Sequence, residues 1–402
     1  MRRLAAFGAF LAFGAVVAGL GAALPFLRDH YDLGPTGGGA VVSVFSLGAL
    51  VAIAGCGIAD RLLPPRATMS GLLAAFVLGL TAAGLAPSWP LLLVAVALTG
   101  IGYGGLAVHL NAAFARGDRG LLMINLLNAT FGAGAVLGPV VVAVVARFDV
   151  RWFFLIVALL AALCYPVVRC DVAQETDDSA TGVRTTLLAA LPFALIAFLY
   201  AGVETTIGAW ESTYLTWTGI PAESAAGLTA LFWAGLAVGR VIIPFLARRP
   251  AVIVLTGFAV AAAGLGLAAV PGLAVAGHAV AGLGLAPVIP TVLAWLVTRT
   301  SRARLATSAV ILCSMLGGAV HPSVIGALAN AEAPAGIPLS IGTYAVLGLL
   351  ATVWAARTSR GSAHADVEDL ADPGQREDAL GSPTGGHGDH QPGAGQRGRG
   401  VQ

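Results

Sequence analysis

Residues 187–210 read LLAALPFALIAFLYAGVETTIGAW, twenty-four positions with a single charge, Glu204. At ~1.5 Å of rise per residue a helix of this length runs ~36 Å, enough to cross the ~30 Å hydrocarbon core of a bilayer. Eleven more stretches have the same character: 4–27, 38–59, 67–87, 91–114, 121–146, 152–168, 224–247, 251–270, 273–297, 305–329 and 338–356. A composition of 57% hydrophobic and 10% charged residues leaves too little charge to cover a soluble protein of 402 residues. The expected fold is therefore all-α and integral to the membrane, with twelve transmembrane helices.

Orientation follows from the arginines, since short cytoplasmic loops carry excess Lys/Arg. There are 22 arginines and no lysine. Fifteen arginines, at 2, 3, 61, 66, 116, 119, 169, 184, 248, 249, 299, 302, 304, 357 and 360, fall at one set of helix ends, against three at the other, Arg28, Arg147 and Arg151. Both termini are thus expected in the cytoplasm of a multi-pass protein of the cell membrane. The first apolar run is too long for a signal peptide and lacks a convincing small-residue cleavage site before Pro25. Four cysteines, Cys56, Cys164, Cys170 and Cys313, show no metal or redox spacing, and no disulfide is expected.

The chain divides at RCDVAQETDDSATGVRTT, residues 169–186, the longest polar interval before the C-terminal tail. This suggests two six-helix bundles, 1–168 and 187–357, joined by a cytoplasmic linker at 169–186 and related by an axis along the membrane normal. The ends of the second and eighth stretches, GCGIADRLLPPR (55–66) and GRVIIPFLARRP (239–250), echo each other at matching places. Residues 358–402, rich in Gly, Pro, Asp and His, read as a disordered cytoplasmic tail. Its His387 and His390 are taken as polar filler, and no metal or cofactor is expected. The 53 glycines, many inside apolar stretches, suit helices packed through small residues.

Twelve stretches, a long central loop and Ala59-Asp60-Arg61 after the second stretch resemble the major facilitator superfamily. LNATFGAGAVLGP (127–139) is similar to that family's glycine-rich GxxxGP segment, and GLGLAPVIPTVLAW (282–295) to its G-x-G-x-x-P-x-x-P pattern. Within the superfamily GYGGLAVHLNAAF (102–114), INLLNATFGAGAVLGP (124–139) and YAGVETTIGAWESTYL (200–215) resemble the branch of the fucose–proton symporter, which also handles galactose and gluconate. The resemblance implies the major facilitator fold, alternating access and a sugar-like solute carried with protons. It departs at two places: the acids that handle proton and sugar in those symporters fall on Gly21 and Ala107, which cannot titrate, and Cys56 replaces a glycine of the loop motif.

Glu204 is the natural proton-coupling residue. A carboxylate at mid-helix costs ~2.5–3.5 kcal/mol on insertion scales and must face the bundle interior or water. Tyr200, Glu204, Gly208 and Glu211 share one helix face; Glu211, near the exit, reads as interfacial. Tyr103 and Asn111 share a face of the fourth stretch with Ala107, and Asn128 offers an amide from the fifth, either to solute hydroxyls or to a neighbouring helix. With Tyr200, Trp233 and His321 these make the expected substrate-binding set. Asp60, Arg61 and Arg116 are expected to latch the cytoplasmic gate, with Asp60 also taking hydrogen bonds from the start of the eleventh helix. Arg240 is expected to act likewise in the second half or to reach the headgroups.

There is no P-loop, so ATP hydrolysis is excluded, and no nucleophile–base or metal-ligand constellation, so the protein is not read as an enzyme. The expected function is a proton-coupled secondary transporter of a small polar, sugar-like solute. The alternatives are an efflux carrier for an amphipathic drug or natural product, and a non-transporting receptor on a carrier fold. Expected partners are the solute, protons and the lipid bilayer, with no nucleic acid, and the carrier is expected to be a monomer. The arginine distribution makes a direct prediction: a cysteine placed at Glu223 will react with an impermeant thiol reagent in intact cells, while one at Glu175 will react only after the membrane is opened. Reaction of both from one side would remove the six-plus-six arrangement.

Overall fold

The computed structural model describes residues 2–34, 38–114, 120–169, 183–242, 249–300 and 302–371. In the first half these form α1 (Arg2–His30), α2 (Gly39–Leu62), α3 (Pro65–Gly84), α4 (Trp89–Phe114), α5 (Gly120–Val145) and α6 (Arg151–Leu163). The second half contains α7 (Val183–Trp217), α8 (Ala222–Leu228), α9 (Ala230–Ile242), α10 (Pro250–Ala268), α11 (Ala274–Leu285), α12 (Val288–Val297), α13 (Ala303–Leu328) and α14 (Gly336–Ala371). No strand occurs among the described residues. Among the described residues eleven helical spans are long and apolar enough to cross a membrane, and α6, with 13 residues, is the shorter twelfth.

Differences from the expected spans have local causes. The sixth is cut short because Pro166 lacks an amide hydrogen, and the chain continues as a 3-10 turn over Tyr165–Arg169. The eighth is α8 followed by α9, interrupted at Thr229, whose hydroxyl donates to the Ala226 carbonyl (2.8 Å). The tenth is α11 followed by α12, interrupted at Ala286–Pro287. Residues 1–356 form one compact unit, and a second begins at Arg357. Helix α14 runs on to Ala371, past the residue where the polar tail was expected to start. Most of the linker, Arg116 and residues 372–402 lie outside the described residues.

Lipid offers no hydrophobic drive between helices, so close approach of backbones has to hold them. Helix α1 lies against α5, where a Cβ at Gly14 would strike the Phe131 carbonyl, and Cβ atoms at Gly134 and Gly138 would strike the carbonyls of Leu11 and Ala15. Helices α2 and α4 meet in the same way through Gly48, Gly100 and Gly104.

The two halves touch through α1 on α7, α2 on α13, and α5 on α8 and α9. Near the ends far from the N-terminus the contact is tight. A Cβ at Gly21 would collide with the Gly208 carbonyl. Across the contact Ser212 donates to the Ala22 carbonyl (3.3 Å) and Ser323 to Ser43 (2.8 Å), while within the second half Trp210 Nε1 donates to the Pro322 carbonyl (2.9 Å). Arg28 bonds Thr213 and lies over the rings of Trp210 and Trp217, 5.7 and 5.6 Å from their centroids. Arg151, another of the three arginines at this side, is paired with Asp149 at 2.7 Å. The hydrogen bond from Arg151 holds the Asp149 carboxyl below its ordinary value.

Gly14→Leu should therefore separate α1 from α5, whereas Gly71→Ala on α3, where a Cβ meets nothing within 4 Å, should be neutral or stabilising by up to ~1 kcal/mol. Thermal unfolding of the two variants in detergent checks this; equal midpoints would show that the α1–α5 contact is dispensable.

Candidate functional site

A cavity of about 320 Å³ lies between the halves, walled by α1, α2, α4, α5, α7, α9, α12 and α13. Its far end is closed by the α1–α7 contact. It extends to Asn111, and to Asn128, which is exposed, toward the ends of α4 and α5 that lie on the same side as the N-terminus.

Most of the wall is apolar, including Phe10, Phe13, Phe45 and Phe131. Tyr103 stacks on Phe45 (centroids 5.2 Å apart) and meets Phe13 edge-on (5.3 Å), so α1, α2 and α4 together present an aromatic surface. Among the lining residues only Glu204 and Arg240 carry formal charge. Arg240 Nη2 stands 3.8 Å from Glu204 Oε1, beyond the 2.7–2.9 Å of a tight charge-assisted bond. Tyr200, one turn before Glu204, lines the same wall, and its buried hydroxyl lies beside Glu204 and Arg240 without completing a well-formed hydrogen bond to either.

The structure thus brings together Tyr103, Asn111, Asn128, Tyr200, Glu204 and Trp233 of the expected set. Asn111 and Asn128 donate to the carbonyls of Ala107 and Ile124 on their own helices, both at 2.9 Å, so these hydrogen bonds do not tie helix to helix. Ala107 lines the cavity, while Gly21 is pressed against Gly208 and has no room for a side chain. That steric limit accounts for the missing acid at Gly21.

Two expectations need correction. Arg240, placed at a gate, reaches from the last turn of α9 into the cavity and faces Glu204, because a long cationic side chain finds its counter-charge there. His321 does not line the cavity. Its Nδ1 pairs with the Gly317 carbonyl (2.7 Å), and its ring sits between Phe198 and Tyr344 at 4.7 and 4.3 Å. Glu211, expected to be interfacial, is 1% exposed, packed within the protein.

Asp60 accepts from, or shares a proton with, His109 Nε2 at 2.9 Å, and the other ring nitrogen approaches the Gly105 carbonyl (2.7 Å). This ties α2 to α4 within the first half. Arg61 is exposed, and Arg116 lies outside the described residues.

Sequence reasoning missed His278, whose Nδ1 is 3.7 Å from the Glu211 carboxylate. A lone histidine in the apolar run AVAGHAVAG was the available signal. The lining phenylalanines gave none, since an aromatic residue in a membrane helix looks the same whether it faces lipid, core or cavity. Groups of three or more metal-ligating side chains are absent among the described residues.

Comparison with known proteins agrees with this architecture. The uncharacterized transporter y4wD of Sinorhizobium fredii (strain NBRC 101917 / NGR234) is 26% identical over 305 residues, covering 70% of this chain and 78% of that protein. Among solved structures, the nucleoside transporter NupG superposes with a TM-score of 0.71 at 15% identity, over 88% of this chain and 97% of that one. A D-xylose–proton symporter gives 0.72 at 13% identity (88% and 96%), and FucP in the outward conformation 0.61 at 16% (87% and 98%). Residues 5–322 match the Major Facilitator Superfamily. With eleven long helical spans and a shorter twelfth among the described residues, packed around a cavity between two halves, the chain belongs to the Major Facilitator Superfamily, a family of membrane transport proteins rather than enzymes.

Proposed function

We propose that this protein is a secondary active transporter that moves a small polar, sugar-like solute across the cell membrane by alternating access, with Glu204 coupling transport to protons. Both termini are cytoplasmic in this reading, and the protein works as a monomer. The observation that carries it is the Glu204–Arg240 pair, held loosely at 3.8 Å within the cavity between the halves. A carboxyl group there can meet solute and protons together and can be carried from access on one side to access on the other. Tyr103, Tyr200, Asn111, Asn128 and Trp233 supply hydrogen-bonding groups and ring faces around it. The predominantly apolar wall is the feature that favours the second reading, an efflux carrier for an amphipathic compound; a buried charge pair in the wall favours a polar solute.

The gate belongs to the same reading. Asp60 acts at the N-terminal side on the conformational equilibrium rather than on the solute. Asp60→Asn weakens its bond with His109, and transport assays should find slower turnover with solute affinity within about threefold of wild type. A much weaker affinity at an unchanged conformational distribution would place Asp60 in the binding site.

Glu204→Gln mimics a permanently protonated carboxyl. In proteoliposomes it should retain solute exchange and lose accumulation driven by a pH gradient, while Glu204→Asp keeps part of the coupling. Gradient-driven accumulation by the Gln variant with wild-type pH dependence would make Glu204 structural.

A further inference from the structure

Three hydrogen-bond donors in the cavity wall are buried without a partner: Nε of Arg240, Oη of Tyr200 and Nε1 of Trp233. Orphaned donors of this kind are rare in folded proteins and ask for an acceptor that a ligand or water supplies. The Tyr200 hydroxyl lies beside the Arg240 guanidinium, whose carboxylate neighbour stands too far for a hydrogen bond. We propose that Arg240, with Tyr200 beside it, receives a carboxylate carried by the transported solute, which takes the place of Glu204 as Glu204 takes up a proton. This inference rests on the reading of Glu204 as the proton carrier and names the substrate class of the same site: a small monocarboxylate with an apolar or ring-shaped body to lie against the aromatic wall.

Charge balance in a low-dielectric cavity supplies the coupling. The empty cavity holds one cation and one anion, Arg240 and Glu204. The loaded cavity holds Arg240 with the solute carboxylate, and Glu204 neutral with a new O–H bond to a proton drawn from the side to which the cavity is open. Both states are electroneutral. Anion without proton sets two carboxylates against one guanidinium, and proton without anion leaves the guanidinium uncompensated; an unpaired buried charge disfavours closure in each case. The carrier therefore changes sides either empty or with one anion and one proton. Among the described lining residues the other ionisable groups are the hydroxyls of Tyr103 on α4 and Tyr200 on α7, both neutral; α1, α2, α5, α12 and α13 contribute apolar or neutral polar side chains.

The test uses matched acid and alcohol pairs as probes: benzoate and benzyl alcohol, phenylacetate and 2-phenylethanol, glucuronate and glucose. Binding to the full chain in detergent is read by ligand-dependent thermal shift at pH 6 and pH 8. Proton uptake is read with an indicator dye in weak buffer. Acids should bind and their alcohols should not, with affinity tightening up to about tenfold per unit fall in pH, since one proton accompanies each anion. Arg240→Gln should weaken acid binding about thirtyfold or more, and Arg240→Lys should restore part of it. Glu204→Gln should bind acids without pH dependence or proton uptake. Where Arg240→Gln does not fold, the double variant E204Q/R240Q, which removes both charges at once, carries the same readout.

The inference is overturned if no acid binds, if alcohols bind as tightly as acids, or if the Arg240 variants bind acids at wild-type strength. A neutral probe that binds with Glu204-dependent proton uptake would sink the carboxylate and leave the proton carrier standing. Acid binding at Arg240 with no proton taken up would sink both.

Discussion

Helices in lipid gain nothing by hiding apolar surface from one another, and the contacts between backbones therefore carry the fold. In this protein those contacts fall where glycine lets a helix rest on the carbonyls of its neighbour, as at Gly14 and Gly134 between α1 and α5 and at Gly21 between α1 and α7. The cavity is a consequence of where this close packing is strong. Backbones touch at the end of the interface far from the N-terminus, and the helices separate toward Asn111 and Asn128.

Within that space chemistry is sparse, and sparseness makes it legible. One carboxylate and one guanidinium stand among aromatic and aliphatic side chains. With little polar surface nearby to screen them, any group that enters must either preserve their neutrality or be excluded. A second carboxylate, Glu211, is buried beside His278 outside the cavity and does not take part in this exchange.

The helices were readable from sequence because span length is set by bilayer thickness, a one-dimensional quantity that hydropathy records directly. Glu204 was readable for a related reason: a charge in such a run has few places to go. Interruptions at Thr229 and Ala286–Pro287 were not, since prolines are common in membrane helices and whether one breaks the helix depends on neighbours. Arg240 was misplaced because sequence gives the depth of a Cα and not the direction of a long side chain. His321 was misplaced because an aromatic cage formed by Phe198 and Tyr344 comes from two other helices.

The Gly21–Gly208 contact has a bearing on water as well as on shape. At Gly21 bare backbone rests on the Gly208 carbonyl, and parting the contact leaves carbonyls such as those of Gly208 and Ala22 without these neighbours. In the proposed alternating-access cycle, opening on that side exposes these carbonyls to water, a step opposed by osmolytes that are excluded from peptide surface. In that cycle the balance between the two faces would respond to the osmotic state of the surroundings as well as to the solute.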